Sequence, residues 1–274
     1  MLDHLKGKRA LVTGASGGVG ASISERLAAE GMHLVLSARD VTRLEGVASS
    51  CAAAGAEVQL LGVDLGEPEG PAQLLADAGP IDSLVNNAGV EVTLGLLEQT
   101  SEDVRRQVDT NLWAPIELTR LALPGLIERG SGAVVNISSM SGKAATPYNS
   151  VYAATKHGLV GLSSSLDAEL QGTGVHVGVV CPSFVSNAGM WAKLGLRAPL
   201  AMGAVSLEAV ADAVVQVLRG APEVLVTRGP IRPLLALREI FPRLEGPALR
   251  ASGITHGLLE RARVAGERRR RGQG

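Results

Sequence analysis

Short apolar runs alternate along the chain with longer segments whose apolar residues recur at helical spacing. The apolar runs predict seven β-strands, at Ala10–Thr13, Leu34–Ser37, Val58–Leu61, Ser83–Asn86, Ala133–Ser138, Val175–Cys181 and Val224–Thr227. The longer segments predict helices at Ala21–Glu30, Val41–Ala54, Val104–Leu123, Val151–Leu170 and Leu207–Leu218. This alternation predicts an α/β fold in which a doubly wound, seven-stranded parallel sheet carries helices on both faces.

The pattern changes after residue 228. Prolines interrupt the remaining segment, at Pro230, Pro233, Pro242 and Pro247. Between them lies an apolar surface with interspersed arginines, formed by Leu234, Leu235, Leu237, Ile240, Phe241 and Leu244. We therefore predict one α/β domain over residues 1–228 and a C-terminal helical extension over residues 229–274, with a frayed tail from about Gly266.

Composition narrows the class of protein. The 274 residues are 46% apolar, which is enough to bury one sizeable core. The formal net charge of −1 gives no reason to expect a nucleic-acid partner. Cys51 and Cys181 lie far apart, which suits a reducing cytoplasm, and no metal site is predicted. Because the N-terminus is charged, we expect no signal peptide. The sequence contains no run of about 18 uncharged apolar residues, so we expect no membrane span.

A glycine-rich turn, residues 13–20, stands directly after the first predicted strand and directly before a helix. Gly14 permits a sharp turn, while Gly18 and Gly20 allow the backbone to approach a pyrophosphate closely. The helix then presents free N–H groups and a positive dipole end to the phosphates. A glycine-rich turn alone can be a flexible loop, but this strand-turn-helix context predicts a Rossmann-like dinucleotide site.

The end of the second strand bears on the choice of cofactor. An arginine at position 39 suits the 2′-phosphate of NADP, which a guanidinium can bind through two parallel hydrogen bonds. The alternative is that Arg39 is a solvated surface charge. Asp40 either caps the next helix or reaches a ribose. Asp64, after the third strand, either accepts a hydrogen bond from the adenine amino group or forms a turn.

Tyr152 and Lys156 are spaced by four residues, so their side chains share one face of the predicted helix. An isolated tyrosine has a pKa near 10, and a cation one turn away favours the phenolate and lowers that pKa. Such a tyrosine can act as a general acid toward a carbonyl and as a base in the reverse direction. Taken alone, the pair is also explained by a tyrosine ring packed over a lysine stem.

Polar side chains follow two further strands. Ser139 could polarise a substrate oxygen, although Ser138 and Ser141 compete for that role and turn formation is the alternative for each. The segment Asn86–Gly89 follows the fourth strand and is expected to brace the sheet beside the cofactor. Asn111 lies inside an apolar helix, where an amide is locally unfavourable; its alternatives are a helix kink or a satisfied core amide.

In combination, these motifs resemble the short-chain dehydrogenase/reductase family, in its single-domain branch, over residues 7–228. The resemblance implies a catalytic tetrad of Asn111, Ser139, Tyr152 and Lys156. In this tetrad Tyr152 is the acid/base and Ser139 holds the substrate oxygen. Lys156 lowers the pKa of Tyr152 and binds the nicotinamide ribose, and the Asn111 backbone holds a water in a proton relay.

The resemblance also implies a set of cofactor contacts. Arg39 matches the NADP-preferring members, so NADP(H) is expected rather than NAD(H). The implied contacts are Gly14, Ser16, Gly18, Val19, Gly20, Arg39, Asp64, Asn87, Tyr152, Lys156, Pro182, Val185 and Asn187.

The chain departs from the family pattern after the sixth strand. Ser183 follows Pro182 where the family usually has glycine, which restricts the backbone near the nicotinamide. Asn187 stands in place of a threonine that often bonds the carboxamide, and its amide is expected to substitute. The chain also continues past Thr227 without the usual glycine-rich ending, which puts in doubt the tetramer contact commonly made there.

Residues 188–204 occupy the place where such enzymes usually carry a mobile lid. An apolar substrate is predicted from Met190, Trp191, Leu194, Leu196 and Leu200, with Met140 and Tyr148 lining the same pocket; ordinary packing of a helix on the sheet is the alternative.

We expect a homodimer or homotetramer. The apolar surface of the extension covers the pocket, contacts a twin subunit or lies on a membrane surface.

The sequence therefore favours a cytoplasmic, NADP(H)-dependent oxidoreductase that interconverts an alcohol and a carbonyl by hydride transfer. One alternative is an NAD-dependent dehydrogenase of the same fold, for which Arg39 is the discriminating residue. The other is a non-catalytic nucleotide sensor or scaffold, because a fold does not dictate a function. Retention of all four tetrad positions argues against the sensor.

Overall fold

The computed structural model describes residues 5–186, 204–229, 231–244, 246–247, 257 and 259–272. Seven strands form one parallel sheet in the order β3-β2-β1-β4-β5-β6-β7. Their bounds are β1 Arg9–Thr13, β2 His33–Ala38, β3 Val58–Gly62, β4 Ser83–Asn86, β5 Gly132–Ile137, β6 Val175–Pro182 and β7 Glu223–Val226. The predicted sheet is confirmed, and every strand ends within one residue of its predicted bounds.

Helices connect the strands and follow the last one. Their bounds are α1 Gly18–Ala29, α2 Glu45–Ala53, α3 Gly70–Ala78, α4 Ser101–Val108, α5 Ala114–Glu128, α6 Ser150–Glu169, α7 Leu207–Leu218, α8 Arg232–Ile240 and α9 Glu260–Arg270. A π-helical turn, Asp109–Trp113, joins α4 to α5.

The two sides of the sheet bury separate apolar clusters. Val12 belongs to the cluster under α1 and α7, whereas its neighbour Leu11 belongs to the cluster under α3 and α5. Successive residues of a strand point to opposite faces, so a strand covered on both sides is apolar at every position. This explains why β1 reads as a continuous apolar run.

The strand order reverses between β1 and β4, which are hydrogen-bonded neighbours although β2 and β3 lie between them in sequence. The chain extends outward from β1 on one side and from β4 on the other. The loops that follow these two strands therefore separate and leave a crevice at the carboxyl edge of the sheet. Ligands bind at such crossover points, so this edge is where the candidate site is expected.

Two helical regions differ from the prediction. Helix α3 was not predicted; it has nine residues, fewer than a periodicity window needs, and carries Pro71 in its first turn, where proline is tolerated. The single helix predicted over residues 104–123 is interrupted by the π-helical turn around Asn111. The predicted kink is thus a local widening of the helix.

The C-terminal extension contains the predicted helical structure, but the prediction of a frayed tail from Gly266 is wrong. Helix α9 continues through Gly266 to Arg270, because Arg263 and Arg270 form ion pairs with Glu98 and Asp103. Helix α8 instead exposes large apolar side chains, at Leu234, Leu237, Ile240 and the following Phe241. Among the described residues, no helix combines the length and apolar character that a membrane span requires.

Candidate active site

The glycine turn after β1 has a backbone conformation and close contacts that disfavour a Cβ atom at Gly14, Gly18 and Gly20. Gly14 and Gly18 have φ angles of +65° and +55°, in the left-handed region that favours glycine. A Cβ atom at Gly20 would lie 2.2 Å from the carbonyl oxygen of Gly14. Helix α1 begins at Gly18, and no described side chain caps its first N–H groups. A cradle of this shape, with free donors at a helix N-terminus, fits the pyrophosphate of a dinucleotide.

Asn87 fixes the position of this turn. Its side-chain amide donates to the carbonyl oxygens of Thr13 and Gly14 at 2.9 and 3.1 Å. The Thr13 hydroxyl in turn accepts from the backbone N–H groups of Asn87 and Ala88. Asn87 therefore links the ends of β1 and β4 across the crevice. Its predicted direct contact with the cofactor stays a prediction, as do those of Ser16 and Val19.

Arg39 and Asp40, neighbours at the end of β2, have different surroundings. Arg39 is exposed and makes no ion pair with any residue in the described ranges. Asp40 caps the short 3-10 helix that follows, by accepting from the backbone N–H of Thr42 at 3.1 Å. The capping alternative for Asp40 is therefore the observed one. Asp64 accepts from the Gly66 N–H at 2.9 Å, so it forms a turn, with its adenine contact still a prediction.

The three candidate serines after β5 have different partners. Ser138 donates to the backbone oxygen of Lys156 at 2.8 Å, and Ser141 accepts from the Thr146 hydroxyl at 3.0 Å. Only Ser139 among them acts on the Tyr152 phenol, whose pKa its side chain lowers. Ser139 also accepts from the Ser141 N–H, which orients its side chain at the start of a 3-10 turn. The geometry thus selects Ser139 as the partner of Tyr152.

Tyr152 and Lys156 lie on one face of α6 and are both buried, with 7% and 4% of their surfaces exposed. The Lys156 ammonium lies 5.6 Å from the centroid of the Tyr152 ring and donates to the carbonyl oxygen of Ile137 at 2.8 Å. Burial lowers the pKa of Lys156 to about 8, against the opposing effects of Cys181 and Glu91. The lysine is therefore a desolvated cation anchored to the end of β5.

The pKa of Tyr152 is raised, which is opposite to the direction that the neighbouring lysine predicts. Burial of the phenol is the main cause, the Glu91 carboxylate adds to it, and the Ser139 side chain opposes it. The Tyr152 hydroxyl consequently keeps its proton at neutral pH. An i,i+4 spacing shows that a cation is near, but it does not show how deeply the pair is buried.

Glu91 is a site residue that the sequence analysis missed. Its Oε1 atom accepts from the Asn149 amide at 2.6 Å and from the Thr93 hydroxyl at 3.2 Å. Burial raises the pKa of Glu91, while these bonds and the charge of Lys156 lower it. A lone acid two residues after the Asn86–Gly89 motif was the available signal. Its proximity to Tyr152 depends on the approach of the α6 N-terminus, which spacing does not reveal.

Asn111 is fully buried in the π-helical turn, and its amide is satisfied. Its Oδ1 accepts from the Val90 N–H at 2.7 Å, and its Nδ2 donates to the Val90 carbonyl at 2.8 Å and to the Thr155 hydroxyl at 3.3 Å. Both alternatives raised for this residue, a distorted helix and a satisfied core amide, are therefore observed. Asn111 joins Val90, in the segment after β4, to Thr155 of α6 beside Lys156, and π-helical turns are frequent at functional sites.

Residues 8–198 match the sequence profile described as short chain dehydrogenase. The chain belongs to the short chain dehydrogenase family. It is 38% identical over 271 residues to a protein named ketoacyl reductase HetN from Nostoc sp., a match that covers 95% of this chain and 94% of the relative. It is 37% identical over 226 residues to 1-deoxy-11-beta-hydroxypentalenate dehydrogenase of Streptomyces exfoliatus, over 78% of this chain and 81% of that protein.

Solved structures of short chain dehydrogenases share this fold. One from Sphingobium yanoikuyae, in complex with NADPH, has a TM-score of 0.76 and 31% identity, over 86% of this chain and 94% of its own. A metagenomic short-chain oxidoreductase in complex with NADP has a TM-score of 0.68 and 33% identity, over 81% of this chain and 97% of its own. This short chain dehydrogenase is thus an oxidoreductase of the class that acts on CH–OH and C=O groups.

The end of β6 contains the residues in which this short chain dehydrogenase departs from the family pattern. Pro182 is buried, and Val185 forms an isolated bridge with Val205. The Ser183 hydroxyl oxygen is buried and has no hydrogen-bond partner among the described residues. An unpaired buried hydroxyl at this edge fits a polar group of a bound cofactor. Asn187 and the predicted lid residues Met190, Trp191, Leu194, Leu196 and Leu200 lie outside the described residues.

Proposed function

We propose that the protein is an NADP(H)-dependent carbonyl reductase in which Tyr152 is the proton donor. The observation that carries this proposal is the placement of the Tyr152 phenol beside Ser139, with Lys156 on the same helix face, at the carboxyl edge of a sheet that also carries the glycine turn. Two hydroxyls that converge at one point can both donate to a single carbonyl oxygen of a substrate.

The protonation states of the chain's own residues support the reduction direction. Burial and the Glu91 carboxylate raise the pKa of Tyr152, so the phenol is protonated and ready to give its proton to a developing alkoxide. Ser139 stabilises the same oxygen by a second hydrogen bond. Lys156 is a cation below about pH 8, and its charge offsets the negative charge that Tyr152 acquires. Bound NADPH supplies the hydride for this reduction.

The residues at the adenosine end support NADP(H). Arg39 is exposed and has no competing acid in the described part of the chain, because Asp40 is engaged in capping. A free guanidinium matches the geometry of a phosphate dianion. Three similar solved structures contain bound NADP or NADPH. Lys156 would bind the nicotinamide ribose, and the Asn111 backbone would hold the relay water.

We propose an apolar carbonyl compound as the substrate. Met140 and Tyr148 lie in the segment between Ser139 and Tyr152, and the predicted lid adds the apolar side chains named above. A relative named as a ketoacyl reductase is consistent with a ketone on an aliphatic chain. A panel of small polar and long apolar ketones tests this: equal kcat/KM values for both groups would refute the apolar substrate.

Cofactor titrations test the NADP(H) proposal. Arg39→Ala removes one charge-assisted contact worth about 1.5–3 kcal/mol, so the Kd for NADPH should rise roughly 10- to 100-fold. The Kd for NADH should not change. Arg120→Ala, which removes an exposed arginine paired with Glu117 on α5, is the matched control and should change neither value. Tighter binding of NADH than NADPH by the wild type would instead establish the NAD-dependent alternative.

A further inference from the structure

Helix α9 of the C-terminal extension packs on the segment that follows β4. We define the β4 loop as residues 87–100. The Cα of Gly266 approaches this loop so closely that an added Cβ would lie 2.9 Å from the Thr93 carbonyl oxygen. Arg263 pairs with Glu98 at 2.7 Å, and Arg270 donates to the Glu98 carbonyl at 3.0 Å. A glycine at the point of contact therefore allows α9 to lie directly against the loop.

The same helix holds Tyr148, which has an unusual backbone conformation. Tyr148 is the one residue other than glycine, within the described ranges, that has a positive φ angle, at +63°. Residues with a Cβ rarely adopt this conformation, because it carries a steric cost. Where it occurs, the surrounding contacts must offset that cost. Helix α9 supplies two such contacts: the Glu260 carboxylate lies close enough to the Tyr148 hydroxyl to raise its pKa, and the Arg263 guanidinium lies 6.0 Å from the ring centroid.

Tyr148 and the β4 loop are also joined to each other beside the catalytic residues. The Leu94 N–H donates to the Tyr148 carbonyl at 2.9 Å. The next residue, Asn149, donates to Glu91 at 2.6 Å and directly precedes α6, which carries Tyr152 in its first turn. The two segments under α9 therefore carry Glu91 and lead directly into the first turn of α6, where Tyr152 lies.

We infer that helix α9 forms a wall of the substrate site and determines, by holding Tyr148, which carbonyl substrates bind productively. This inference rests on the proposed reductase function. Gly266, Glu260 and Arg263 act through Tyr148 and the β4 loop, and are specificity-determining residues without contact to the reacting atoms. Long carbonyl substrates extend to the Tyr148 ring and depend on its position, whereas short ketones are bound by Ser139 and Tyr152 alone.

The variant Gly266→Ala tests this wall with one added methyl group. Its Cβ would clash with the Thr93 carbonyl, so α9 must move away from the β4 loop. The matched control is Gly46→Ala, an exposed glycine in α2 whose added Cβ would meet nothing within 4 Å. For Gly266→Ala we expect KM for a long aliphatic ketone to rise about fivefold or more, a loss comparable to one hydrogen bond or aromatic contact. KM for a short ketone, and the Kd for NADPH, should not change.

Tyr148→Phe is the second variant, and it serves if Gly266→Ala does not fold. It keeps the ring but removes the hydroxyl whose pKa the neighbouring Glu260 carboxylate raises. We expect the same selective rise in KM, and we expect Glu260→Gln combined with Tyr148→Phe to add little to it, because both changes remove the same interaction. Equal effects of these variants on long and short ketones, or no effect on either, would overturn the inference.

Hydrogen exchange separates this inference from the proposed function. If α9 holds both segments, the amides of Leu94 and Asn149 exchange faster in Gly266→Ala than in the wild type or in Gly46→Ala. If the wild type reduces no ketone, the reductase proposal fails, and the exchange data still report whether α9 restrains the two segments. Faster exchange with unchanged KM values would show that α9 is a structural support and would overturn its role in specificity.

Discussion

Replacement of Lys156 by methionine is expected to stabilise the folded protein while it abolishes activity. Lys156 is 4% exposed, and its ammonium has one hydrogen bond, to the Ile137 carbonyl at 2.8 Å. No carboxylate of the described chain forms a salt bridge with it. Methionine has a similar length and no charge, so it removes the cost of burying the ammonium and retains most of the packing.

The size of the expected gain in the free energy of unfolding follows from the pKa of Lys156. Burial lowers this pKa from 10.5 to about 8, and each unit corresponds to about 1.36 kcal/mol, so the buried charge costs about 3 kcal/mol at neutral pH. Loss of the hydrogen bond to Ile137 costs about 1 kcal/mol in the opposite direction. The variant should therefore be more stable than the wild type by about 2 kcal/mol at pH 7.

The pH dependence of this gain has a defined sign. Below about pH 8 the lysine is charged in both the folded and the unfolded wild type, so the full gain is present. Between about pH 8 and 10.5 the folded wild type loses the proton that the unfolded chain retains, so wild-type stability rises and the gain shrinks. Near pH 10.5 the lost hydrogen bond alone remains, and the variant becomes the less stable protein.

Urea unfolding at pH 7, 9 and 10, in buffer without nucleotide, measures this difference. The control is Lys8→Met, which removes a partly exposed lysine paired with Asp82 at 3.3 Å. An exposed pair is worth at most about 1 kcal/mol, so the control should show no gain at any pH. A Lys156→Met protein that is less stable than the wild type at pH 7, or a difference that stays constant up to pH 10, would refute the reasoning.

Two further predictions concern the glycine turn and the serine. Gly20→Ala places a Cβ 2.2 Å from the Gly14 carbonyl; a backbone shift that costs about 1–3 kcal/mol should weaken NADPH binding roughly 10- to 100-fold in a fluorescence titration. The control, Gly161→Ala on α6, has open space and should bind normally; equal Kd values for both variants would contradict the cradle. Ser139→Ala should lower kcat/KM roughly 100-fold or more with unchanged NADPH affinity, because one donor to the substrate oxygen is lost. Ser141→Ala is its control, and the idea fails if both serine variants retain full activity.

The sheet could be predicted from the sequence because its strands are buried on both faces. Such strands appear as continuous apolar runs, as β1 and β6 do, and their bounds are set by the polar turns that follow. Helix α3 was missed, because nine residues that begin with Gly70 and Pro71 have too little periodicity. The π-helical turn at Asn111 was not predicted, and a helix kink was raised there only as an alternative, since the contacts of the Asn111 amide with Val90 and Thr155 are tertiary.

The identity of the candidate site residues was more predictable than their energetics. Tyr152, Lys156 and Ser139 stand at recognisable spacings, and the structure brings them together. The raised pKa of Tyr152 was not predictable, because it depends on burial depth and on Glu91, which approaches through the bond to Asn149. The packing of α9 against the segment after β4 could not be predicted either, since its ion pairs join residues more than 160 positions apart in sequence, as in Arg263 with Glu98.

The most direct test of the central claim is carbonyl-dependent oxidation of NADPH by the wild type and by Tyr152→Phe. Phenylalanine keeps the ring in its buried position and removes the proton that the reaction requires. The account predicts that the wild type oxidises NADPH when a ketone is present, and that Tyr152→Phe still binds NADPH but turns over roughly 100- to 10,000-fold more slowly. A Tyr152→Phe protein with near wild-type turnover, or a wild type that binds NADPH and reduces no ketone, would contradict it.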